Sequence, residues 1–413
     1  MTSAEDIIRT TRQKAQAYLR KGEAMAKAYL AKNRETRVEY GHPWIFKSDI
    51  ERIAGSCEPG DVVDVYSHKN RFLGRGYYNP ASQITIRLLT RLEEDINRDF
   101  LYNRILRAWE YRLRVADPQS CRVVFAESDF LPALIVDKFS DILVVQTLAL
   151  GIDRWKQDII EILNDIIKPR GIFERNDVPV RELEGLSQQK GFLSSPFDTR
   201  VEMMENGVKF LVDVENGQKT GFFLDQKENR AALAPLVRDG RVLDCFSHTG
   251  SFALHAAHYG AREVTGVDIS AHAVACATEN ARLNGLESAA SFVEANVFDL
   301  LRSLSDQKER YDVVILDPPA FTKTKSALEG AIRGYKEINL RAMKVIREGG
   351  FLVTCSCSQH VDNGMFMDIV YNAAHDAKRT LRLLEFRSQA KDHPILLSAA
   401  ETQYIKCVIL QVY

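Results

Sequence analysis

The sequence lacks the features that mark most secreted, membrane-spanning and zinc-stabilised proteins. Its 413 residues include seven cysteines but no CxxC pair, which argues against a disulfide framework and a structural zinc site. No apolar run is long enough to cross a bilayer. The first residues contain no apolar core followed by a small-residue cleavage site. We therefore expect a cytoplasmic protein with no membrane partner and no metal.

A strong charge imbalance is also missing. The chain has 55 Lys and Arg against 56 Asp and Glu, for a net charge of −1, so bulk charge does not indicate a nucleic-acid binder. Basic residues outnumber acidic ones only locally, over residues 9–37. A solvated helix face explains that segment. Internal repeats and low-complexity segments are absent as well.

The composition and the hydrophobic pattern change several times along the chain, which predicts several domains. A chain of 413 residues is also longer than a domain with a single hydrophobic core usually is. Residues 1–33 are rich in Ala, Lys, Arg and Gln and predict a helical extension. Residues 34–92 contain short β-rich runs cut by turns, which indicate a small β domain. Residues 93–190 mix helices and strands in an α+β pattern. Over residues 191–413, apolar strands alternate with helices, which predicts a parallel, doubly wound α/β sheet.

Ligands of such sheets bind beyond the carboxyl ends of the strands. The first strand ends in "DCFSHTGSFA", a small-residue turn that opens a helix, and Gly250 would let backbone approach an anionic group. The next strand ends at Asp268, which is placed to accept hydrogen bonds from ribose hydroxyls. A plain turn and a solvated loop are the alternatives. GxGxxG is absent, which disfavours a nicotinamide oxidoreductase. Gly250 and Asp268 together predict a nucleoside cofactor.

Two later strand ends carry further chemistry. "LDPPAF" places Asp317 before two prolines, which make a stiff, extended loop, although a proline-rich turn is the simpler interpretation. "FLVTCSCSQHV" places Cys355 and Cys357 at the end of an apolar run. These thiols could be core residues, metal ligands, a redox pair or a nucleophile. A bridge between residues so close on one strand would be strained, which weakens the redox option.

The turn of form DxFxxxG followed by a strand-end acid resembles class I S-adenosylmethionine-dependent methyltransferases. Along nearly the whole chain, "HPWIF", "NPASQITIR", "ESDFLPALIVDKF", "ERNDVPVRELEGL", "DVENGQKTGFFLDQKENR", "DPPAF", "RGYKEINL" and "CSCS" follow in order. Together they resemble bacterial 23S rRNA cytosine-C5 methyltransferases. That family implies an N-terminal PUA domain, a central α+β domain and a C-terminal Rossmann-like catalytic domain.

The resemblance also implies roles for individual residues. Cys357 would be the nucleophile, Asp317 would begin the target-base motif, Asp268 would bind ribose and Asn296 would contact adenine. S-adenosylmethionine is the implied cofactor. The residues implied on its side are Phe223, Asp225, Gln226, Arg230, Asp244, Phe246, Thr249, Gly250, Asp268, Ile269, Asn296, Val297 and Asp317.

Chemistry explains why a cytosine-C5 methyltransferase needs a thiol. C5 is a poor nucleophile until a thiolate adds to C6 and makes C5 enamine-like. An acid near N3 assists the addition by donating or sharing a proton, a role that we assign to Asp317. The "SCS" frame favours Cys357, while Cys355 inside the apolar run is expected to be a core residue. The base that removes the C5 proton is not identified, and His360 has the pattern of an idle loop residue.

The implied partner is 23S rRNA or a large-subunit assembly intermediate, and a homodimer is compatible with the sequence. PUA-like domains bind structured RNA, and Arg71, Arg75, Tyr77, Tyr78 and Arg87 offer cations and aromatic rings. Because these residues alternate along strands, some must face the core. After "DPPAF", Lys323 and Lys325 are further candidates for phosphate contact, and a solvated loop is the alternative.

Two rival functions stay open. An RNA methyltransferase acting on an exocyclic amine, such as guanine N2, would use the amine lone pair and need no thiol. A non-catalytic RNA-binding or ribosome-assembly factor would keep the cofactor without turnover. "CSCS" argues against the first and the intact strand-end motifs against the second.

Overall fold

The structure is a computed structural model that describes residues 25–322 and 324–413. The chain divides into two compact units, one ending at Ile96 and the other comprising Asn97–Tyr413. The second unit contains both the predicted central domain and the predicted C-terminal domain. No helix within the described ranges is long and apolar enough to span a membrane.

The first unit is a six-stranded sheet around a small apolar core that includes Leu30, Val63, Val65 and Ile86. Its spatial order is β2-β6-β5-β4-β1-β3, with a short helix α1 at Thr36–Glu39. The strands are β1 Lys27–Leu30, β2 Trp44–Ile45, β3 Ile50–Ala54, β4 Val62–Tyr66, β5 Phe72–Tyr78 and β6 Ile86–Thr90.

Strand β1 corrects the predicted N-terminal helix. Residues 1–24 of that prediction lie outside the described residues, but Lys27–Leu30 is a strand that pairs with both β3 and β4. Ala28 and Leu30 are buried while Lys27 and Tyr29 are half-buried, so burial alternates with a period of two. Pairing within the sheet outweighs the helix propensity of this segment.

A five-stranded sheet of order β11-β10-β9-β8-β7 begins the second unit. Three helices accompany it: α2 Arg98–Val115, α3 Leu150–Arg154 and α4 Lys156–Ile167. The strands are β7 Ser120–Phe125, β8 Leu134–Phe139, β9 Ile142–Thr147, β10 Gly171–Asn176 and β11 Gln189–Phe192. A hairpin of β12 Arg200–Glu205 and β13 Val208–Asp213 follows, then helix α5 Lys227–Ala231.

The seven-stranded sheet of order β16-β15-β14-β17-β18-β20-β19 confirms the predicted doubly wound α/β class. Its first five strands are parallel, and β20 pairs antiparallel with β18 and β19. The strands are β14 Arg241–Cys245, β15 Glu263–Asp268, β16 Ala290–Glu294, β17 Tyr311–Leu316, β18 Ile346–Ser356, β19 Leu381–Arg387 and β20 Lys406–Val412. The helices are α6 Ser251–His258, α7 Ala271–Leu283, α8 Val297–Asp306, α9 Leu328–Val345 and α10 Asn363–Ala377.

Apolar cores lie on both faces of this sheet. Successive residues of β14 point to opposite sides, so Val242 joins the core under α6 and Leu243 joins the core under α8, α9 and α10. The first of these cores also includes Phe139, Val144 and Phe173 of the five-stranded sheet. This shared core explains why residues 97–413 form one unit.

Candidate active site

The turn after β14 is conformationally unusual. Phe246, His248 and Gly250 have φ angles of 66°, 49° and 82°, in the left-handed region that residues other than glycine rarely adopt. The carboxylate of Asp268, at the end of the neighbouring strand β15, accepts a hydrogen bond from the His248 amide at 2.9 Å. The ends of β14 and β15 are thus tied together, as expected for a strand-end binding site.

Internal packing also explains the two glycines of this region. A Cβ on Gly250 would lie 2.9 Å from Phe292 and 3.0 Å from Ala277. A Cβ on Gly266 would lie 2.5 Å from the Phe292 ring and 2.8 Å from Ser247. Gly250 is therefore required by its φ angle and by Phe292, in addition to any approach of a ligand.

Asp244 is completely buried at the end of β14. One carboxylate oxygen accepts hydrogen bonds from the Ser247 hydroxyl at 2.7 Å and the Ala253 amide at 3.0 Å. The other oxygen has no partner. Burial raises the pKa of Asp244 to about 7, because desolvation disfavours the carboxylate.

The residues present fit S-adenosylmethionine. Within the described part of the chain, three buried polar atoms of the predicted cofactor region have no hydrogen-bond partner: Asp244 Oδ1, Thr249 Oγ1 and Asp225 Oδ1. Buried polar atoms are seldom left unpaired in a finished structure. Asp268 retains acceptor capacity beyond its bonds to the His248 and Ser270 amides. The amine and ribose hydroxyls of the cofactor are donors that this set could accept.

Other predicted cofactor residues have structural roles. Asn296 caps α8, accepting bonds from the Phe298 amide at 2.9 Å and the Asp299 amide at 3.4 Å. Val297 is buried in the core, whereas Ile269 is 69% exposed. Arg230 is buried and forms a bidentate ion pair with Glu205 at 2.6 and 2.9 Å. These contacts account for Asn296, Val297 and Arg230 without a ligand.

Arg230 does shape the cofactor side indirectly, since its guanidinium also donates to the Phe223 carbonyl at 2.6 Å. The Phe223 ring in turn meets His248 of the β14 turn, with 5.2 Å between ring centroids. Phe246 of the same turn lies 6.4 Å from Phe321 of the "DPPAF" loop, again between centroids. Aromatic contacts thus connect the turn to two other predicted motifs.

Asp317 follows β17, and its Oδ1 accepts a hydrogen bond from the Gln226 side chain at 2.9 Å. Burial raises the pKa of Asp317 to about 6, and the carboxylate of Asp225 adds to the rise. A carboxyl that titrates near neutrality can both hold and release a proton under physiological conditions. The structure therefore brings two distant predicted motifs, "LDQ" and "DPPAF", into direct contact.

Cys357 lies just past the end of β18 and is half-buried. Its thiol donates a weak hydrogen bond to the Pro318 carbonyl over 4.0 Å. It lines a cavity of about 220 Å³ with Ala320, Thr322, Gln359, His360 and Tyr404. Burial and then the charge of Asp317 raise the pKa of the Cys357 thiol to about 11.

Cys355 does not line this cavity. It is 1% exposed in the apolar core and lies directly opposite Cys407 across the β18–β20 pair. This position confirms the expectation that Cys355 is a core residue. Of the two thiols, Cys357 alone lines the cavity.

The loops of Asp317 and Cys357 are held by one buried tyrosine. Tyr335, from the "RGYKEINL" motif on α9, packs against Phe321 with 4.6 Å between ring centroids. Its hydroxyl forms a hydrogen bond with the Ser358 hydroxyl at 2.9 Å. Tyr335 therefore fixes the "DPPAF" loop and the "CSCS" loop relative to each other.

Three residues near the cavity were not predicted. Lys219 and Tyr404 donate to the same oxygen of Asp225, at 2.8 and 2.7 Å. Burial acts to raise the pKa of Asp225, but the charge of Lys219 and the bond from Tyr404 contribute to holding it below its usual range. The third residue, Lys406, is buried on β20. Lys219 stands inside the quoted "NGQKTGFF" motif, whereas the other two had no local signal.

The predicted RNA contacts of the first unit need correction. Arg75 is 9% exposed, and its guanidinium donates to Asp64 at 2.7 Å inside the sheet. Tyr77 and Arg87 are also buried. Arg71 is exposed and pairs with Glu39, and Tyr78 is half-buried. Beyond this unit, Lys323 lies outside the described residues and Lys325 begins a short turn of 3-10 helix.

A different row of cations and aromatic rings crosses this sheet. The Arg52 guanidinium lies 3.7 Å from the centroid of the Tyr29 ring, and Tyr29 stacks on Tyr66 with 5.6 Å between centroids. Lys27 approaches Tyr66 from the same strand as Tyr29. The sequence "KAYL" alternates half-exposed and apolar residues, a pattern that could have predicted this strand. The mistaken helix prediction concealed it.

Comparisons with known proteins agree with this architecture. Residues 28–91 match a family described as a PUA-like domain, and residues 187–403 match one described as S-adenosylmethionine-dependent methyltransferase. Proteins named ribosomal RNA large subunit methyltransferase I from Aeromonas salmonicida and Shewanella denitrificans are both 42% identical, each alignment covering 93% of this chain and 98% of the relative.

Solved structures show the same fold. A methyltransferase complexed with SAH has a TM-score of 0.81 at 19% identity, over 94% of this chain and 100% of the other. A SAM-dependent methyltransferase from Streptococcus mutans reaches 0.79 at 19% identity over the same shares. The class I methyltransferase fold implied by the resemblance is confirmed.

Proposed function

The chain belongs to the S-adenosylmethionine-dependent methyltransferase family, and from this premise we propose that it forms 5-methylcytidine in 23S rRNA, with Cys357 as nucleophile. The observation that carries the proposal is the juxtaposition of the Cys357 thiol with the loop that follows Asp317. Thiol and acid are the two groups that C5 methylation demands.

S-adenosylmethionine, when bound, supplies an electrophilic methyl group. The residues that would hold it are Asp244, Thr249, Asp268 and the neighbouring turn. Their unpartnered oxygens favour a ligand rich in donors. This half of the site binds and orients the cofactor.

The protein's own groups perform the activation of the base. The Cys357 thiol gives up its proton as sulfur bonds to C6, and Asp317 takes that proton and passes it to N3. The C5 carbon, now enamine-like, takes up the methyl group. A base takes up the C5 proton and releases it to solvent. The sulfur–C6 bond then breaks with its electron pair on sulfur, and the N3 proton returns through Asp317 to restore the thiol. Atoms and charges balance without any metal or redox partner.

The pKa values suit this sequence of proton transfers. Asp317 titrates near 6 and Cys357 near 11, so the resting site holds a neutral thiol beside a carboxylate. Thiolate would form only as the proton moves by way of Asp317 to the base. A thiol that stays protonated until substrate binds reacts slowly with other electrophiles, because the thiolate is the nucleophilic form.

Ribosomal RNA as substrate is supported by the names of the relatives and by the PUA-like domain. The row of Lys27, Arg52, Tyr29 and Tyr66 offers the cations and rings that contact single-stranded nucleic acid. Free 23S rRNA and a large-subunit assembly intermediate are the two forms in which the substrate could be presented.

The test uses purified protein, methyl-labelled S-adenosylmethionine and unmodified 23S rRNA, followed by digestion to nucleosides. Wild type, Cys357→Ala and Cys355→Ala run in parallel. We expect label in 5-methylcytidine for wild type and Cys355→Ala, and none for Cys357→Ala.

Other results would overturn the proposal. Label in N2-methylguanosine, or a fully active Cys357→Ala, would point to amine methylation. RNA binding without label for wild type, on free rRNA and on assembly intermediates alike, would indicate a non-catalytic factor.

A further inference from the structure

Lys406 is a buried cation that forms no ion pair with any residue the structure describes. It is 3% exposed, and its ammonium donates to the Ser358 carbonyl at 2.8 Å. No carboxylate in the described part of the chain forms an ion pair with it. An ammonium has three N–H donors, and burying it unpaired costs several kcal/mol.

The other buried lysine near the site shows the usual arrangement. Lys227 is 6% exposed and pairs with Asp392 at 3.1 Å. Lys219, which is 44% exposed, pairs with Asp225 at 2.8 Å. Each of these two ammonium groups contacts a carboxylate directly, whereas Lys406 contacts none within the described ranges.

The fold places Lys406 beside the nucleophile's loop. Lys406 lies opposite Ser356 in the β18–β20 register, and its ammonium binds Ser358. The two contacts bracket Cys357. The charged and titratable groups that face Cys357 are Asp317, Asp225, Lys219 and Lys406, and those that face Lys406 are Cys357 and Asp362.

We propose that Lys406 is a positioning residue whose fixed charge stabilises the Cys357 thiolate, the anion that exists only during the reaction. The proposal rests on the proposed role of Cys357 as nucleophile. The thiol proton travels through Asp317 to the base, so Lys406 keeps its own proton and forms no bond. It stabilises sulfur as the proton leaves and again when the sulfur–C6 bond breaks, which is electrostatic preorganisation.

Protonation states agree with this role. Burial lowers the pKa of Lys406 to about 8, while burial and Asp317 raise that of Cys357 to about 11. At pH 7 the ammonium is therefore charged and the thiol neutral. An appearing thiolate would relieve the cost of the buried cation.

The test measures alkylation of Cys357 by iodoacetamide in the full chain, without cofactor or RNA, by mass spectrometry of the peptide. Lys406→Gln keeps a donor for the Ser358 carbonyl but removes the charge, and Lys406→Arg keeps the charge. Half-exposed Cys276 serves as the internal reference, and Lys209→Gln on β13 is a matched control at an exposed lysine.

At pH 7 we expect Lys406→Gln to slow alkylation of Cys357 about tenfold, the effect of one pKa unit. Lys406→Arg and Lys209→Gln should stay within about threefold of wild type, and Cys276 should not change. Unchanged alkylation of Cys357 in Lys406→Gln would overturn the proposal.

Wild type alone provides a second measurement if the variants do not fold. As pH rises from 7 to 9, Lys406 loses its charge, so the thiolate loses its stabilisation. The logarithm of the Cys357 alkylation rate should then rise by less than one per pH unit, although the pKa of this thiol, about 11, lies well above the range. A slope of one for Cys357 would contradict the proposal.

These outcomes are separable from failure of the proposed function. An active Cys357→Ala would remove the nucleophile assignment, whatever the alkylation shows. A slow-alkylating Lys406→Gln that also loses turnover, with unchanged cofactor affinity, supports both.

Discussion

The two halves of the active site hold their charges differently. On the cofactor side, Asp244 and Thr249 keep buried oxygens without partners. On the target side, carboxylates and ammonium groups surround one thiol, with Asp317 and Asp225 raising its pKa and Lys219 and Lys406 lowering it. A bound ligand completes the first half. In the mechanism proposed above, the second half works by proton transfer, so its opposing charges must hold the thiol and Asp317 close to the point at which a proton can move.

The largest expected effect comes from removing the carboxylate of the target half. Asp317→Asn should lower the methylation rate about a hundredfold or more, because the proton path to N3 is lost. The same change should speed alkylation of Cys357, since the charge of Asp317 raises the thiol pKa. Rate measurements of methylation and of Cys357 alkylation on the same variant check that the first rate falls while the second rises.

Asp312→Asn is the matched control, because Asp312 lies near the opposite end of the same strand, where its carboxylate accepts a bond from the Arg241 amide. It should leave both rates within about threefold of wild type. Near-full methylation by Asp317→Asn would argue against the assigned proton transfer.

The next effect concerns the cofactor half. In Gly250→Ala, alanine would have to adopt a φ of 82°, and its Cβ would lie 2.9 Å from the Phe292 ring. The turn must therefore shift. We expect a loss of about 1–3 kcal/mol of stability and at least about tenfold weaker cofactor affinity. Calorimetric titration with S-adenosylmethionine measures the affinity.

Gly285→Ala separates backbone strain from the site. Gly285 has a φ of 65°, but a Cβ there would meet nothing within 4 Å. This variant should lose about 1 kcal/mol and keep its affinity. Equal affinities for all three proteins would show that the β14 turn does not position the cofactor.

The smallest effect is a dependence of stability on pH. The pKa of Asp244 is about 7 in the folded chain and near 4 when unfolded. The folded state therefore binds this proton more tightly, and stability is lost as pH rises from about 4 to about 7. Asp244→Asn does not titrate, so its stability relative to wild type should increase as pH rises from about 4 to about 7 and should change little outside that range.

Asp312→Asn should show the opposite sign. Burial acts to raise the pKa of Asp312, but bonds from the Arg241 amide and Arg347 lower it below its usual value. Its asparagine variant should therefore lose stability relative to wild type only as pH rises to about 4, and the difference should stay constant above that pH. Denaturant unfolding of the three proteins from pH 3 to pH 8 distinguishes the two trends, because the Asp312 effect lies below about pH 4 and the Asp244 effect above it. Parallel stability curves for Asp244→Asn and wild type would contradict the raised pKa of Asp244.

Sequence reasoning predicted correctly which strand ends lie next to each other. Asp244 and Asp268 lie at the ends of two paired parallel strands, and the Asp268 carboxylate accepts a hydrogen bond from the His248 amide in the turn that contains Gly250. The predictions were wrong where they depended on which face of a strand a side chain lies on. Arg75 looked available for RNA, yet it pairs with Asp64 inside the sheet, because a single strand does not reveal which side its partners will cover.

The sequence by itself determined the doubly wound class, the strand-end motifs and the position of Cys357 beyond an apolar strand. Parallel strands bring their carboxyl ends to one edge wherever they pair, so these features follow from local patterns. Only the tertiary structure decided that Tyr404 meets Asp225 across 179 residues and that Lys406 lies beneath the Cys357 loop. Those contacts depend on β20 inserting antiparallel between β18 and β19, a pairing chosen by burial of the whole core.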